Sequence, residues 1–236
     1  MNIVKRAIIL AAGKGTRLQP VSLTTPKPLI NVNGKRMIET IIDALYENDI
    51  YEIYIVVGYL KSEFKVLLDK YDNITFIENP YFDTCNNISS LYVARNYLED
   101  AIILDGDQII YNPNILKKEF IRSGYNCIWC EGETDEWLLE LENNIIKRCS
   151  RIGGKHGWQL YSISRWSKND AKKLKNHLEI EFEIHKNHKI YWDDIVLFCY
   201  FNEYQLGIMQ MEENDIIEID DFEQLINLDP SYIGGK

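Results

Sequence analysis

The chain has 236 residues, 46% of them hydrophobic, and a formal net charge of −10. That length suits one domain carrying an inserted lobe better than two ordinary domains. The acidity argues against nucleic-acid binding through phosphate neutralisation, and no apolar run approaches the roughly 20 residues of a membrane span. Met1, Asn2 and Ile3 lead directly into strand-like sequence without signal-peptide anatomy, so the expected location is cytoplasmic.

Along the chain, Arg6 to Ala12 is a short apolar run that reads as a strand. In residues 35–48, Met37, Ile38, Ile41, Ile42 and Leu45 recur at helical spacing. Tyr51 to Tyr59 reads as a second strand, Lys61 to Lys70 as a helix, and Asn73 to Asn79 as a third strand. Ile88 to Leu98 reads as a third helix and Ala101 to Asp107 as a fourth strand. This alternation predicts an α/β fold with a Rossmann-like, mostly parallel sheet covered by helices. Right-handed crossovers bring the strand C-termini to one edge, where such sheets bind ligands.

The rhythm changes after about residue 124. Tyr125 to Glu131, Glu136 to Leu141, Ile145 to Arg151 and Trp158 to Ser164 read as consecutive strands, which predicts an antiparallel addition. Helices are expected over 167–181 and 192–201, strands near 206–211 and 215–219, and a last helix from about Asp221. The chain thus divides into a core over 1–124, a second lobe over about 125–205 and a return to the core over 206–230. The closing Gly234, Gly235 and Lys236 read either as an added remnant or as the start of a linker to another enzyme of the pathway.

The sharpest motif is LAAGKGTRL, Leu10 to Leu18, directly after the first strand. Gly13 and Gly15 let the backbone approach a ligand and turn its N–H groups inward. Lys14, Thr16 and Arg17 add charge and hydrogen bonds suited to a triphosphate. The string is neither a Walker A loop nor a dinucleotide fingerprint. In TPKPL, Thr25 to Leu29, two prolines bracket Lys27 and stiffen the backbone that presents it. The third motif is DGD, Asp105 to Asp107, ending the fourth strand at the ligand edge, where hard carboxylate oxygens suit Mg²⁺.

Other residue types are quieter. Cys127 and Cys130 form a CxxC with no second pair at zinc spacing, and a three-residue step on a strand sends them to opposite faces. The four histidines make no metal pattern, and His185 and His188 lie in a charged, surface-like stretch.

These three motifs, in this order and at these spacings, closely resemble the sugar-nucleotide type nucleotidyltransferases. The resemblance implies that the Gly-rich loop holds NTP phosphates, that Lys27 contacts phosphate and that Asp107 binds the metal. The segments Asn79 to Tyr92, Thr134 to Leu139, Ile190 to Val196 and Asn214 to Leu225 are similar to those of small bacterial CTP:phosphocholine cytidylyltransferases. In that subgroup the first of these lies beside base and ribose, which implicates Asn86, Ser89 and Ser90 with Leu10, Ala11, Ala12 and Asp105. The last supplies a second metal ligand, placed at Asp220. The strand region Gly153 to Ile163 matches the subgroup only loosely.

Trp137, Tyr191 and Trp192, each near acids, suit a quaternary ammonium, which favours aromatic faces with negative charge nearby. The expectation is therefore a cage of these three, with Asp194 and Glu218 supplying charge. The implied reaction is CTP plus phosphocholine giving CDP-choline and pyrophosphate, with Mg²⁺ as cofactor. Phosphoethanolamine, 2-aminoethylphosphonate or a sugar 1-phosphate are alternative acceptors. A non-catalytic nucleotide-binding subunit would show a broken glycine loop or a missing Lys27 or Asp107, and all are intact.

Overall fold

The computed structural model describes residues 1–233, so the terminal Gly-Gly-Lys lies outside it. Four mutually parallel strands form the first half: β1 (Arg6–Ala11), β2 (Glu52–Val57), β3 (Ile74–Glu78) and β4 (Ala101–Asp105). They lie in the spatial order β4-β1-β2-β3. Near-continuous Ile, Leu, Val and Ala let both faces be buried.

Helix α1 (Met37–Glu47) forms where the apolar stripe predicts it, with Met37, Ile38, Ile41, Ile42 and Leu45 all buried. Its first turn is closed by Glu39, whose carboxylate accepts the Arg36 N–H at 3.2 Å. The stretch Lys61–Asp69 is a 3₁₀-helix rather than the expected α-helix. Only Phe64 and Leu67 are buried there, three residues apart, which matches a three-residue turn. Helix α2 (Ile88–Val93) is shorter than expected, and Arg95–Tyr97 follows it as a separate 3₁₀ turn.

After β5 (Gln108–Ile110) come the four expected strands, β6 (Gly124–Thr134), β7 (Leu138–Glu142), β8 (Ile145–Ser150) and β9 (Gly154–Trp166). They continue the main sheet instead of forming a separate one. β9 pairs with β6 along one edge; along the other it pairs with β7 at Trp158 and Gln159 and with β4 from Ile163 to Trp166. Helix α3 (Lys168–Glu179), capped by the Ser167 side chain, widens into a π-helical turn at Ile180–Ile184. The predicted helix over 192–201 is instead a π-helical turn, Ile195–Cys199.

The chain then returns. β10 (Gly207–Met211) pairs parallel to β6, and Gly124 faces Gly207 so closely that an added Cβ would meet the Gly207 oxygen at 1.9 Å. β11 (Ile216–Glu218) pairs antiparallel with β5, setting Glu218 opposite Gln108. Helix α4 (Phe222–Leu228) is capped by Asp221. The β5/β11 pairing carries the C-terminal acids to the DGD strand end, more than a hundred residues away in sequence. No described helix is long and apolar enough to cross a membrane.

Candidate active site

The glycine loop leaves the C-terminal end of β1 and lines a cleft of about 340 Å³. Leu10, Ala11, Gly13, Gly15, Thr16, Arg17 and Lys27 face that cleft, together with Asn86 and Asn87. Gly15 sits in the left-handed region at φ 60°, where its missing Cβ leaves room for Lys27; an added Cβ would lie 2.9 Å from the Lys27 Cβ. The two motifs are thus packed against each other, and Lys27 is 7% exposed. Lys14 points elsewhere and pairs with Asp83.

Lys27 Nζ lies 2.6 Å from Asp107 and 3.3 Å from Asp220, and Arg17 reaches the same Asp220 oxygen at 2.7 Å. Burial alone would push the Lys27 ammonium down, but Asp107, Asp220 and Glu218 more than reverse it, so it stays protonated. Burial raises the Glu218 carboxyl well above the usual range, and Asp107, Asp220 and Asp105 push it further. Asp105 is raised likewise, by burial and then by Asp107 and Asp193.

A divalent cation fits this donor set. Asp107 Oδ1 is buried with no hydrogen-bond partner, and one lysine nitrogen reaches both Asp107 and Asp220. Among the described residues no three His, Cys, Asp or Glu side chains are placed to hold a metal between them, and Asp107 with Asp220 supplies only part of a coordination shell. That suits Mg²⁺, which commonly takes one or two carboxylates and completes its shell with water and substrate phosphates.

Ala12, Gly13, Asn86, Ser89 and Ser90 line a smaller recess of about 190 Å³ beside the cleft. Buried Asn79 donates to Ser89 and Ser90, 3.0 Å to each hydroxyl, which explains two polar residues on the inner face of α2. Asp105 does not join the nucleotide side as the sequence suggests. It lines a third pocket, of about 330 Å³, with Asp107, Glu136, Trp137, Ser162, Tyr191, Asp193, Glu218 and Asp220. Asp107, Asp220, Arg17, Asn87 and Tyr191 line both the cleft and this pocket, so the two meet there.

The three-aromatic cage needs correction. Trp137 and Tyr191 face the third pocket and meet edge-on at 5.8 Å. Trp192 is 2% exposed and packs in the core, stacked on Tyr125 at 6.1 Å and edge-on to Trp166 at 6.0 Å. Asp194 is also turned away. Its Oδ2 accepts the Tyr191 N–H at 2.9 Å and its Oδ1 pairs with Arg151 at 2.5 Å. The pocket acid is Asp193, whose Oδ1 is buried without a hydrogen-bond partner. Burial raises its carboxyl to about 7 despite the nearby Tyr125 hydroxyl. The sequence reading placed this charge at Asp194 and passed over its neighbour Asp193; the start of the π-turn separates the two, and that turn leaves no compositional mark. Asn87, Glu136 and Ser162 were likewise missed, Asn87 although it stands inside a singled-out segment. Of the histidines expected at the surface, His188 is half-buried and packs on Phe182 at 4.5 Å.

Residues 6–124 match the family described as nucleotidyl transferase. The chain is 36% identical over 230 residues to the 2-aminoethylphosphonate cytidylyltransferase of Lancefieldella rimae, covering 96% of this chain and 93% of that one. It is 34% identical to the choline-phosphate cytidylyltransferase of Streptococcus pneumoniae, covering 91% and 93%. The solved CTP:phosphocholine cytidylyltransferase of S. pneumoniae superposes with a TM-score of 0.89 at 32% identity, over 96% of this chain and 98% of that one. The inositol-1-phosphate CTP transferase of T. maritima, 16% identical with a TM-score of 0.75, shares the fold. With the glycine loop, Lys27 and the facing carboxylates assembled on a parallel sheet edge, this chain belongs to the nucleotidyl transferase family.

Proposed function

We propose that the protein is a Mg²⁺-dependent cytidylyltransferase that converts CTP and phosphocholine to CDP-choline and pyrophosphate. The observation that carries this is the third pocket, where two aromatic faces and the acids Asp193 and Glu136 surround a space opening onto Asp107 and Asp220. Aromatic faces with negative charge suit a large, weakly hydrated cation. The acceptor's phosphate then lies toward the nucleotide cleft. The names of the similar proteins support CTP as the nucleotide.

The acceptor phosphate is already an anion at neutral pH, so no side chain has to remove a proton. The obstacle is bringing one anion to another, and the protein's task is positioning and charge neutralisation. Asp107 and Asp220 would hold Mg²⁺, which supplies positive charge to phosphate oxygens. Backbone N–H groups around Gly13 and Gly15 cradle the triphosphate. Lys27, fixed between two prolines and kept protonated, serves the α-phosphate, and Arg17 and Lys14 leave their carboxylate partners for the departing pyrophosphate. Cytosine lies in the recess by Ala12 and Asn86 to Ser90. There a site built for its amino group leaves a group unpaired with uracil, at a cost of about 1–3 kcal/mol.

A second acceptor class is favoured by one specific observation. Asp193 Oδ1, with only the Tyr125 hydroxyl near it, can still accept a bond that a primary ammonium donates and a trimethylammonium cannot. Pyrophosphate release measured over CTP and UTP against phosphocholine, phosphoethanolamine and 2-aminoethylphosphonate tests the proposal. The highest kcat/KM is expected with CTP and phosphocholine. Preference for a primary amine would move the acceptor to the second class, and equal use of UTP would refute the nucleotide assignment.

A further inference from the structure

Tyr191 and Asp193 reach the acceptor pocket from a short turn, not from the sheet. The turn is tied to the base side of the nucleotide cleft by a set of hydrogen bonds. Asn86 N–H donates to the His188 carbonyl at 2.7 Å, and its side-chain amide donates to the Lys189 carbonyl at 3.1 Å. Lys189 Nζ returns a bond to the Thr84 carbonyl at 2.8 Å. One residue on, Asn87 Oδ1 accepts the Trp192 N–H at 2.9 Å, between the two pocket residues. Asn87 itself faces both the nucleotide cleft and the acceptor pocket. Its own position is set by Asn86, whose Oδ1 accepts the Asn87 N–H at 2.8 Å.

We propose that Asn87 is a positioning residue that couples the two substrate sites. By holding the Trp192 amide it fixes the turn carrying Tyr191 and Asp193, so a nucleotide settled against Asn86 and Asn87 steadies the acceptor wall before the acceptor arrives. This deepens the function proposed above and rests on its assignment of one pocket to nucleotide and the other to acceptor. Trp192 makes the link stiff, because its indole is locked against Tyr125 and Trp166. Binding that orders a segment lowers the ordering cost for a second ligand, which is positive coupling without any large movement.

The test combines amide hydrogen exchange with kinetics on the full chain. In the wild type, CTP with Mg²⁺ and no acceptor is expected to slow exchange over residues 190–194. In Asn87→Ala the Trp192 amide is expected to exchange about tenfold faster, and CTP to protect the turn no longer. The acceptor KM should rise about tenfold, and the CTP KM by less, Asn87 also lining the nucleotide cleft. Asn87→Asp keeps an oxygen for the Trp192 amide and should restore its protection. An unchanged Trp192 exchange in Asn87→Ala, or a wild-type turn indifferent to CTP, overturns the proposal. So does a rise in CTP KM with the acceptor KM unchanged. If Asn87→Ala fails to fold, the CTP effect on the wild-type amides decides alone. Exchange with CTP needs no acceptor, so failure of phosphocholine turnover would count against the acceptor assignment and leave the coupling measurable.

Discussion

Asp107, Lys27 and Asp220 form a chain of charge in which each residue depends on the next. Replacing Asp107 with Ala removes a carboxylate from the proposed metal site and the nearest partner of Lys27. Turnover should fall by about 10²–10³ or more, with circular dichroism unchanged; near-normal activity would refute the metal assignment. The two tryptophans behave as opposites. Trp192→Ala empties a fully packed position and should cost about 3–5 kcal/mol of stability, weakening every acceptor alike. Trp137→Ala, at a half-buried position, should cost less stability than Trp192→Ala and raise the acceptor KM selectively.

Asp193 adds a pH signature at the same scale. Its carboxyl is raised to about 7, so the folded state favours the protonated form more than the unfolded chain does. Between roughly pH 4 and 7 the native protein therefore holds the extra proton, and stability falls as pH rises through that window. Asp193→Asn removes this cost. Its melting temperature should gain on wild type as pH rises, most clearly above 7, by about 2–4 °C per kcal/mol for a chain of this size. The same variant should use acceptor poorly, since the ionised form is the one that complements an ammonium. A stability difference independent of pH would show that Asp193 is not buried as described.

At the scale of elements, the glycine loop and the TPKPL turn act as one unit. Gly15→Ala introduces an L side chain at positive φ and drives its Cβ against Lys27. Turnover should drop with CTP, and a rise in CTP KM should accompany it; a neutral effect would mean that the contact is relieved at no cost. Both motifs stand out in sequence because glycine and proline act on the backbone that carries them. The parallel strands and α1 were equally legible, since burial on both faces or along one stripe dictates composition. Lys61–Asp69 and the turn at 195–199 were not. A helical stripe distinguishes poorly among turns of three, four or five residues per hydrogen bond. The cage failed for a related reason: Trp192 and Tyr191 are sequence neighbours pointing in different directions, and only the packing on Tyr125 shows which faces inward.

At the scale of the molecule, the second group of strands adds to the first sheet and does not stand apart from it. The sequence indicated an antiparallel addition but carried no signal that β9 would pair with β4, because that pairing joins residues about sixty apart. The C-terminal acids likewise meet Asp107 only through the β5/β11 register, a long-range match between two short apolar segments that no local pattern announces.

β9 runs thirteen residues and pairs with β7 at Trp158 and Gln159 and with β4 from Ile163 to Trp166, while its ladder with β6 slips register between Leu160 and Ser164. It ties the two halves of the sheet together as one beam, held by strands on both sides at 158–159 and 164–165. Jaw-like closure could bend this strand only at the irregular stretch 160–163, between two clamped segments, so the enzyme's working strokes are expected chiefly in loops and turns on the sheet's edge. Small-angle scattering should then give the same radius of gyration with and without CTP and Mg²⁺, while exchange changes concentrate near residues 13–17, 82–90 and 188–194. On the proposed assignment of the two pockets, such a frame holds the span between them nearly constant, so the length of the acceptor between a cationic head and its phosphorus would be gauged against it. Inserting one methylene into that linker should hurt turnover more than any comparable change to a part of the acceptor that faces open solvent.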